Sequence, residues 1–591
     1  MVAISPKQSQ FNQQLAQAKK VHIAGNLEQA QKLYEKLLRK TPGSQVILSL
    51  LGGLLLQREQ WDKALEKLKR ANAKNHQDAD LPYNLGLAHF HLNQFEQAVA
   101  AFQQSTTMNP EHDRAYYMMA RAYLGWDSHV YREQAFKAYL KDIDITQRVD
   151  SYVMVADILH EQGRYEDARG IAKKALEIDK TNEMALWVIA KTMISENYSK
   201  AKVDIAIAEP IVKIGNLLVQ LYPNSWRGHH ILAESLTMIG EDALAVQHYE
   251  KLNKLNSRMA VTRTTAGVLM LKQGRLKEGW EEISYRKHHG AELYGMNLGV
   301  LEQCKAPVWQ GEIEAGKHIL IASEQGIGDQ MLHTQMTKDL LDAGMHVYMT
   351  CTAKILDIMS RSIPQIQFFS SKDAIPEEVL AKIDYKAELL DLGKHLRDDI
   401  SKFKDHFYYL QPQPDLVEHF KTRYQQFGDK LKVGISWKSV SKSVGKLKST
   451  ELIQWREILT VPGVQFINIQ YGESEADIQQ VRDELGVDVY VDEFDPFQDI
   501  EKAVAQIAAL DLVISVSNAS VHMAGQLQIP TWVLLNFRTL WHWFYDETKT
   551  VWYDSVQLYR QAQLQGWEPV FTRVASDLEQ YVSAIEKASD A

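Results

Sequence analysis

A small residue recurs every 34 positions in the early part of this 591-residue chain, and that interval constrains the fold more than any other feature. Ala30, Ala64 and Ala98 keep it, and Tyr34, Leu68 and Phe102 keep it four residues further on. Pro42 and Pro110 stand 68 apart, twice the interval. A four-residue offset puts the small and the large residue on one face of a helix. Two helices can then approach closely at the alanine and pack on its bulky neighbour. Proline ends the second helix because it lacks a backbone donor and its ring clashes with the preceding turn. A helix–turn–helix unit of this size cannot bury its apolar face alone, so successive units must stack.

The pattern continues with slips. Residues 115–142 read as a fourth unit with a short insertion around 125–131. Gly163, Ala168, Ala172 and Ala175 mark a fifth. Residues 183–223 read as a longer, irregular unit with an extended helix. Gly240, Ala245 and Tyr249 mark another, and Gly274-Arg275-Leu276-Lys277-Glu278-Gly279-Trp280 opens the last second helix. These units resemble tetratricopeptide repeats. The resemblance implies a superhelix over residues 1–288 whose groove binds an acceptor protein. His229-His230 and His288-His289 are adjacent in sequence and diverge on a helix. They read as helix-surface or boundary residues, not as metal ligands.

After about residue 290 the period changes. Short apolar runs at 318–322, 347–350, 432–437, 465–469, 512–516 and 531–535 alternate with helical segments at 330–343, 450–460, 474–484 and 500–510. Such alternation predicts βαβ units and parallel sheets. The runs form two clusters, 317–412 and 431–573, with the polar stretch 411–414 between them. Two Rossmann-like domains are expected, at 289–414 and 415–591. Ligands of such domains sit at the carboxyl ends of the strands.

Composition narrows the function. The net charge is 66 − 75 = −9 with histidine neutral, which argues against a nucleic-acid partner. Apolar residues at 45% and charged residues at 24% are ordinary globular usage. Two cysteines, Cys304 and Cys351, cannot build a disulfide framework or a cysteine-rich zinc site. No run of 18 apolar residues suggests membrane insertion. Residues 1–20 are polar and lack the apolar core of a signal peptide, so a cytoplasmic location is expected.

Three strand-to-helix turns carry candidate chemistry. The first reads Glu324-Gln325-Gly326-Ile327-Gly328-Asp329. Glycines there let a ligand approach the backbone and the N–H groups of a helix start. Asp329 can cap that helix or act as a general base in a cleft. The spacing is not that of a dinucleotide fingerprint. The second turn follows Val433-Gly434-Ile435-Ser436-Trp437-Lys438 and carries Lys442, Lys446 and Lys448 among Ser439, Ser441 and Ser443. It lies where a phosphate would meet a helix start. The third runs Ser515-Val516-Ser517-Asn518-Ala519-Ser520-Val521-His522-Met523-Ala524-Gly525 and offers hydroxyl and backbone donors to an anion. Gln470-Tyr471-Gly472 ends another strand on the same rim. Trp532, Trp541, Trp543, Trp552 and Trp567 read as core.

In this order and spacing the motifs resemble the tetratricopeptide-repeat glycosyltransferases, together with Trp552-Tyr553-Asp554-Ser555 and a hinge-like segment at 280–286. The catalytic half of that family is similar to the lipopolysaccharide heptosyltransferases, which have the GT-B fold. The resemblance implies an N-terminal repeat superhelix followed by a GT-B pair of Rossmann-like domains. It implies Asp329 as base toward an acceptor hydroxyl, Lys446 or Lys448 at the donor phosphate, and Ser517, Asn518, Ser520 and His522 in the donor-phosphate turn. Gly326, Gly328, Lys438, Gln470 and Tyr471 complete the donor-binding set. It also implies a C-terminal helix, 575–588, crossing back to the first sheet domain.

The chain departs from many relatives. Ser517-Asn518 replaces Asp-Thr, and His333 and Gln335 stand where an aromatic residue and an arginine are common. These changes argue against a heptose-type donor. The Ser517-Asn518 form, with Gln470-Tyr471-Gly472, looks closer to the repeat-containing transferases that modify bacterial flagellin. By that resemblance the donor is a nucleotide sugar, a CMP-linked nonulosonic acid such as pseudaminic acid, and the acceptor is a Ser or Thr of flagellin. No Asp-x-Asp ends a strand in this half, and Asp142-Ile143-Asp144 reads as surface charge among the repeats, so neither a metal nor another cofactor is expected. The competing readings are a non-catalytic repeat scaffold and a transferase acting on a lipopolysaccharide or lipid-linked sugar.

Overall fold

The computed structural model describes residues 6–72, 78–199, 204–256, 260–288, 298–439, 445–545, 548–562 and 566–589. The chain divides into two compact units, Met1–Glu196 and Asn197–Ala591, and the division falls inside the helix Glu183–Ser199. The change of period near residue 290 therefore marks a change of element type within the second unit.

The first unit is a stack of helical hairpins, among them Gln45–Gln57 with Trp61–Asn72 and Asp80–His91 with Phe95–Met108. Ala30, Ala64 and Ala98 are fully buried, as are Tyr34, Leu68 and Phe102. The repeat is also visible as a steric pair. A Cβ on Gly52 would lie 2.5 Å from Leu68 Cγ, and one on Gly86 would lie 2.6 Å from Phe102 Cε1. Each glycine admits the large side chain of the facing helix. The fourth unit is Ala115–Asp127 with Arg132–Thr146, and a four-residue turn at 128–131 takes up the insertion. Asp142 corrects an expectation. It is buried, and it accepts from Ser151 Oγ at 2.6 Å and Arg148 Nε at 3.2 Å. Bonded through its Oδ2 in this way, the carboxylate is a structural tie at the hairpin end, while Asp144 is exposed.

The second unit opens with the irregular part of the repeats, Ala208–Leu221, Trp226–Ile239 and Asp242–Leu255, and closes the array with α1 (Ala260–Lys272) and α2 (Leu276–Ile283). Gly240 ends its helix at φ +79°, where a side chain would be strained. His229 is buried rather than superficial, with its Nδ1 2.9 Å from His248 Nδ1. His289 lies outside the described residues.

Two parallel sheets follow. The first has β1 (His318–Ala322), β2 (His346–Cys351), β3 (Ile366–Ser370) and β4 (Tyr385–Glu388) in the order β3-β2-β1-β4. The helix α3 (Ile327–Thr334) leaves β1. The second has β5 (Leu431–Ser436), β6 (Val464–Asn468), β7 (Leu512–Val516), β8 (Thr531–Leu535) and β9 (Val556–Arg560) in the order β6-β5-β7-β8-β9. The helix α4 (Ala519–Gln526) leaves β7. In each sheet the order reverses beside the first strand, which places a switch point next to β1 and another next to β5.

Several expectations need correction. Segment 330–343 is two helices, α3 and Thr337–Asp342. Segment 450–460 is the 3₁₀ turn Leu452–Trp455 and a single further turn, Arg456–Leu459. Strands β3, β4 and β9 add to the six predicted runs. The C-terminal helix α5 (Glu568–Ser589) does not cross back. Its Phe571, Val574, Leu578 and Val582 join the core of the second sheet with Trp455 and Ile458. The chain instead passes between the sheets once, through 404–413. There Tyr409 donates its hydroxyl to Met331 O at 2.8 Å and its N–H to Gln526 Oε1 at 3.1 Å. Arg361 forks onto Glu501 at 2.9 and 2.7 Å and adds a second tie between the sheet domains.

Candidate functional site

The candidate site lies where the two switch points meet. β1 is buried along most of its length and runs into Ser323 and Glu324, both buried. Gln325 turns the chain at φ +65°, and Gly326 caps α3. In the other domain β7 runs into Ser517, and Asn518 caps α4 with its Oδ1 accepting from Ser520 N–H at 3.0 Å. The first turns of α3 and α4 lie side by side. A Cβ on Gly328 would be 2.9 Å from His522 Cδ2 and 3.1 Å from the Ala519 Cα. The N-terminal ends of the two helices, each the positive end of a helix dipole, are thus brought together.

Asp329 sits in the first turn of α3, half-buried. Its Oδ2 accepts from the Gly326 N–H at 3.3 Å, so the capping role is realised. Burial pushes its carboxyl above the ordinary aspartate range, and the charge of Lys448 pulls it partly back. The Lys448 ammonium is pushed down by burial and held up by Asp329. Among the described residues no carboxylate lies within ion-pair distance of Lys448. The Asp329 carboxylate is the anion whose charge acts on it. A carboxylate of raised pKa beside a desolvated cation is an arrangement in which a hydroxyl proton can be taken and an anion held.

The other expected residues take different places. Lys438 is paired with Asp477, which also accepts from Trp437 Nε1 at 2.9 Å. Gln470 is buried and turned inward. Its Oε1 accepts from Ser436 Oγ, Trp437 N–H and Lys438 N–H at 3.0, 3.0 and 2.8 Å, and its Nε2 donates to Tyr471 O at 2.6 Å. Gln470 thus holds the start of the lysine loop in place. Asn518 also donates to Ser436 Oγ at 2.7 Å and Lys438 O at 3.2 Å, so it pins β5 to β7. Ser517 accepts from Trp543 Nε1 at 2.9 Å. Tyr471 stacks on Phe497 at 6.3 Å between ring centres. Ser520 is buried in the first turn of α4, and Gly326 is exposed at the mouth. The Lys446 side chain and residues 440–444, with Lys442, Ser441 and Ser443, lie outside the described set.

His522 is buried beneath this turn. Its ring stacks on Trp543, and its Nδ1 lies 3.3 Å from the Tyr553 hydroxyl. Burial, then the charge of Lys448, drives its pKa down to about 3. It is therefore a neutral wall of the site near pH 7 and not a counter-cation. His333 is held at about 3 by burial first, and it lies parallel to Trp541 with ring centres 5.8 Å apart. Trp541, Trp543 and Trp552 are buried, as the core reading expects. Sequence reasoning missed the partners that fix these groups: Asp477 beneath Lys438, Trp543 beneath Ser517, and a buried charge network reaching Glu324. The one legible signal was Glu324 itself, a carboxylate directly after an apolar strand, which demands a cation.

Known proteins agree with the repeats. Residues 22–88, 83–125 and 149–182 each match tetratricopeptide-repeat families. Protein FlbA of Caulobacter vibrioides is 27% identical over 387 residues, a match covering 62% of this chain and 63% of that protein. The chain thus spans less than two thirds of the length of that relative. Among solved structures, MamA is 27% identical over 28% of this chain and 94% of its own, with a TM-score of 0.26. PilF of Pseudomonas aeruginosa is 19% identical over 39% of this chain and 100% of its own, with a TM-score of 0.33. The chain carries tetratricopeptide repeats in its N-terminal region and parallel sheets in its C-terminal region.

Proposed function

We propose that the chain is a cytoplasmic protein O-glycosyltransferase of the GT-B kind, moving a sugar from a nucleotide donor to a Ser or Thr hydroxyl of a protein held by the repeats. The observation that carries this reading is the Gly328 contact, which sets the starts of α3 and α4 side by side at the two switch points with Asp329 and Lys448 beside them. Helix N-termini and a desolvated lysine favour an anion there. In the reaction the acceptor oxygen bonds to the anomeric carbon while the bond from that carbon to the leaving phosphate oxygen breaks. The electron pair of that bond goes to the phosphate, where the helix N–H groups and Lys448 stabilise it. The hydroxyl proton goes to Asp329. No step calls on a metal ion. Resemblance to flagellin-modifying transferases points to flagellin as acceptor and to a CMP-linked nonulosonic acid such as pseudaminic acid as donor.

The test is transfer from a panel of CMP-, UDP- and GDP-sugars to flagellin by wild-type protein and Asp329→Asn. Loss of transfer in the variant with donor binding intact is expected. Full activity in Asp329→Asn overturns the assignment of the base.

A second reading, a scaffold that binds nucleotide without turnover, has its own support. Asp329 caps its own helix, and Gln470 and Asn518 engage partners inside the protein. Nucleotide binding with no transfer to any protein would favour it.

A further inference from the structure

We propose that Arg286 is a positioning residue for Asp329: anchored at the end of the last helical repeat, it fixes through Glu324 the turn that carries the base. The role of Asp329 rests on the transferase reading; the mechanical link between Arg286 and the turn does not.

Arg286 lies in the 3₁₀ segment Ser284–His288 that follows α2, and it is fully buried. Its guanidinium forks onto Glu324, Nε to Oε2 at 2.8 Å and Nη2 to Oε1 at 2.7 Å. The remaining arm donates to Asp391 Oδ1 at 2.7 Å. Glu324 Oε1 also accepts from the Leu390 N–H at 2.9 Å. Lys287 joins Glu388 at 2.7 Å and also pairs with Asp391. The last repeat thus grips the carboxyl ends of β1 and β4, the two strands that flank the switch point.

The consequence for the site follows from the chain between. Only Gln325 separates Glu324 from the Gly326 cap of α3, and Gln325 is held at φ +65°. A non-glycine residue keeps such a conformation when its neighbours over-determine it. α3 fixes one side, and the Glu324 carboxylate in the arginine fork fixes the other. Trp280, on α2, donates its Nε1–H to Arg397 O at 2.8 Å and meets Trp541 of the second sheet domain edge-on at 5.1 Å. Segment 280–286 therefore touches both sheet domains. The hairpin that ends the acceptor-binding array is also the frame on which the base is built. A lysine at 286 would retain the charge but not the planar fork.

The experiment compares full-length wild type, Arg286→Lys and Arg286→Met by hydrogen exchange with mass spectrometry. In Arg286→Lys, exchange across residues 323–330 should rise about tenfold or more while residues 512–526 keep wild-type protection. Should Arg286→Met fail to fold, Arg286→Lys decides. Unchanged protection of 323–330 in Arg286→Lys overturns the proposal, and so does an equal rise in both segments, which would make Arg286 a general staple. With donor and acceptor supplied, kcat should fall about tenfold or more with donor KM unchanged, because a misplaced base slows the chemical step and not donor binding. Unchanged kcat with a loosened turn also overturns it. If wild type transfers no sugar, the transferase reading falls, and the exchange result alone decides the link.

Discussion

The Lys272 ammonium donates to Asp242 Oδ2 at 2.7 Å, and both side chains are buried. The hydroxyl of Tyr545, from the loop after β8, donates to the same carboxylate. The last repeats are thereby bolted to the second sheet domain through one enclosed ion pair. Burial pushes the Lys272 pKa down despite its partner, so desolvation outweighs attraction at this site. Lys272→Met leaves Asp242 charged and dry and should cost about 3–5 kcal/mol. Adding Asp242→Asn removes the orphan charge and keeps an acceptor for Tyr545. The double variant should regain most of that loss. Urea unfolding of the four members of this cycle measures it, and additive losses would contradict the account.

Asp329 is a second place where the fold holds a group against its preference. Its carboxyl pKa is raised by burial, so the native state binds this proton more readily than the unfolded chain. The associated stability is fully present below the ordinary aspartate range and is lost as pH rises through the folded value. At pH 7 the ionised carboxylate is therefore a net cost. Asp329→Asn, which keeps an oxygen for the Gly326 N–H, should raise the melting temperature at pH 7. The difference should shrink toward zero below about pH 4. Transfer should fall about 10²-fold or more in the same variant. A variant less stable than wild type at pH 7 would refute the electrostatic argument.

Two lysines of one loop should behave differently. Lys448 has no carboxylate within ion-pair distance among the described residues, whereas Lys438 is held by Asp477. Lys448→Met should weaken nucleotide binding about ten- to a hundredfold, the value of one charge-assisted hydrogen bond. Lys438→Met should weaken it by less than about threefold, since its charge is already engaged. Calorimetric titration with CMP, UDP and GDP reads both. The reverse ranking would move the phosphate to the Lys438 side of the loop.

The repeats were legible because their signal is steric and periodic: Ala64 and Leu68 recur at Ala98 and Phe102, and each is fully buried. Strands β1, β7 and β8 were legible as uninterrupted apolar runs, as strands covered on both faces must be. β4 was not, because Tyr385-Lys386-Ala387-Glu388 is short and polar, its lysine reaching the Leu301 and Cys304 carbonyls and its glutamate reaching Lys287. The turns of the site were found, but not which side chains face inward. Gln470 and Asn518 look like ligand donors in sequence and serve as internal clamps. That distinction depends on partners up to 82 residues away, such as Ser436 for Asn518.

The histidines behind the site predict an acid limit to the fold. His333 and His522 are buried and held near pKa 3, and His542 is pushed well below its ordinary value by burial and then by His522 and His333. All three stay neutral in the native state while their unfolded counterparts take up protons below about pH 6.5. A depressed native pKa makes the associated stability complete above the unfolded value and erodes it as pH falls toward the folded one. Each histidine should contribute a slope of about 1.4 kcal/mol per pH unit between those limits. Carboxylates such as Asp391, held near 2 by Arg286 and Lys287 against burial, add their loss only lower down. Replacing His333 with Phe removes one titrating ring from its stack with Trp541 and keeps an aromatic face. Urea unfolding at pH 7.5, 6.0 and 5.0 should show the wild type losing stability faster than His333→Phe. Parallel curves for the two proteins across that range would exclude His333 as a source of the acid limit.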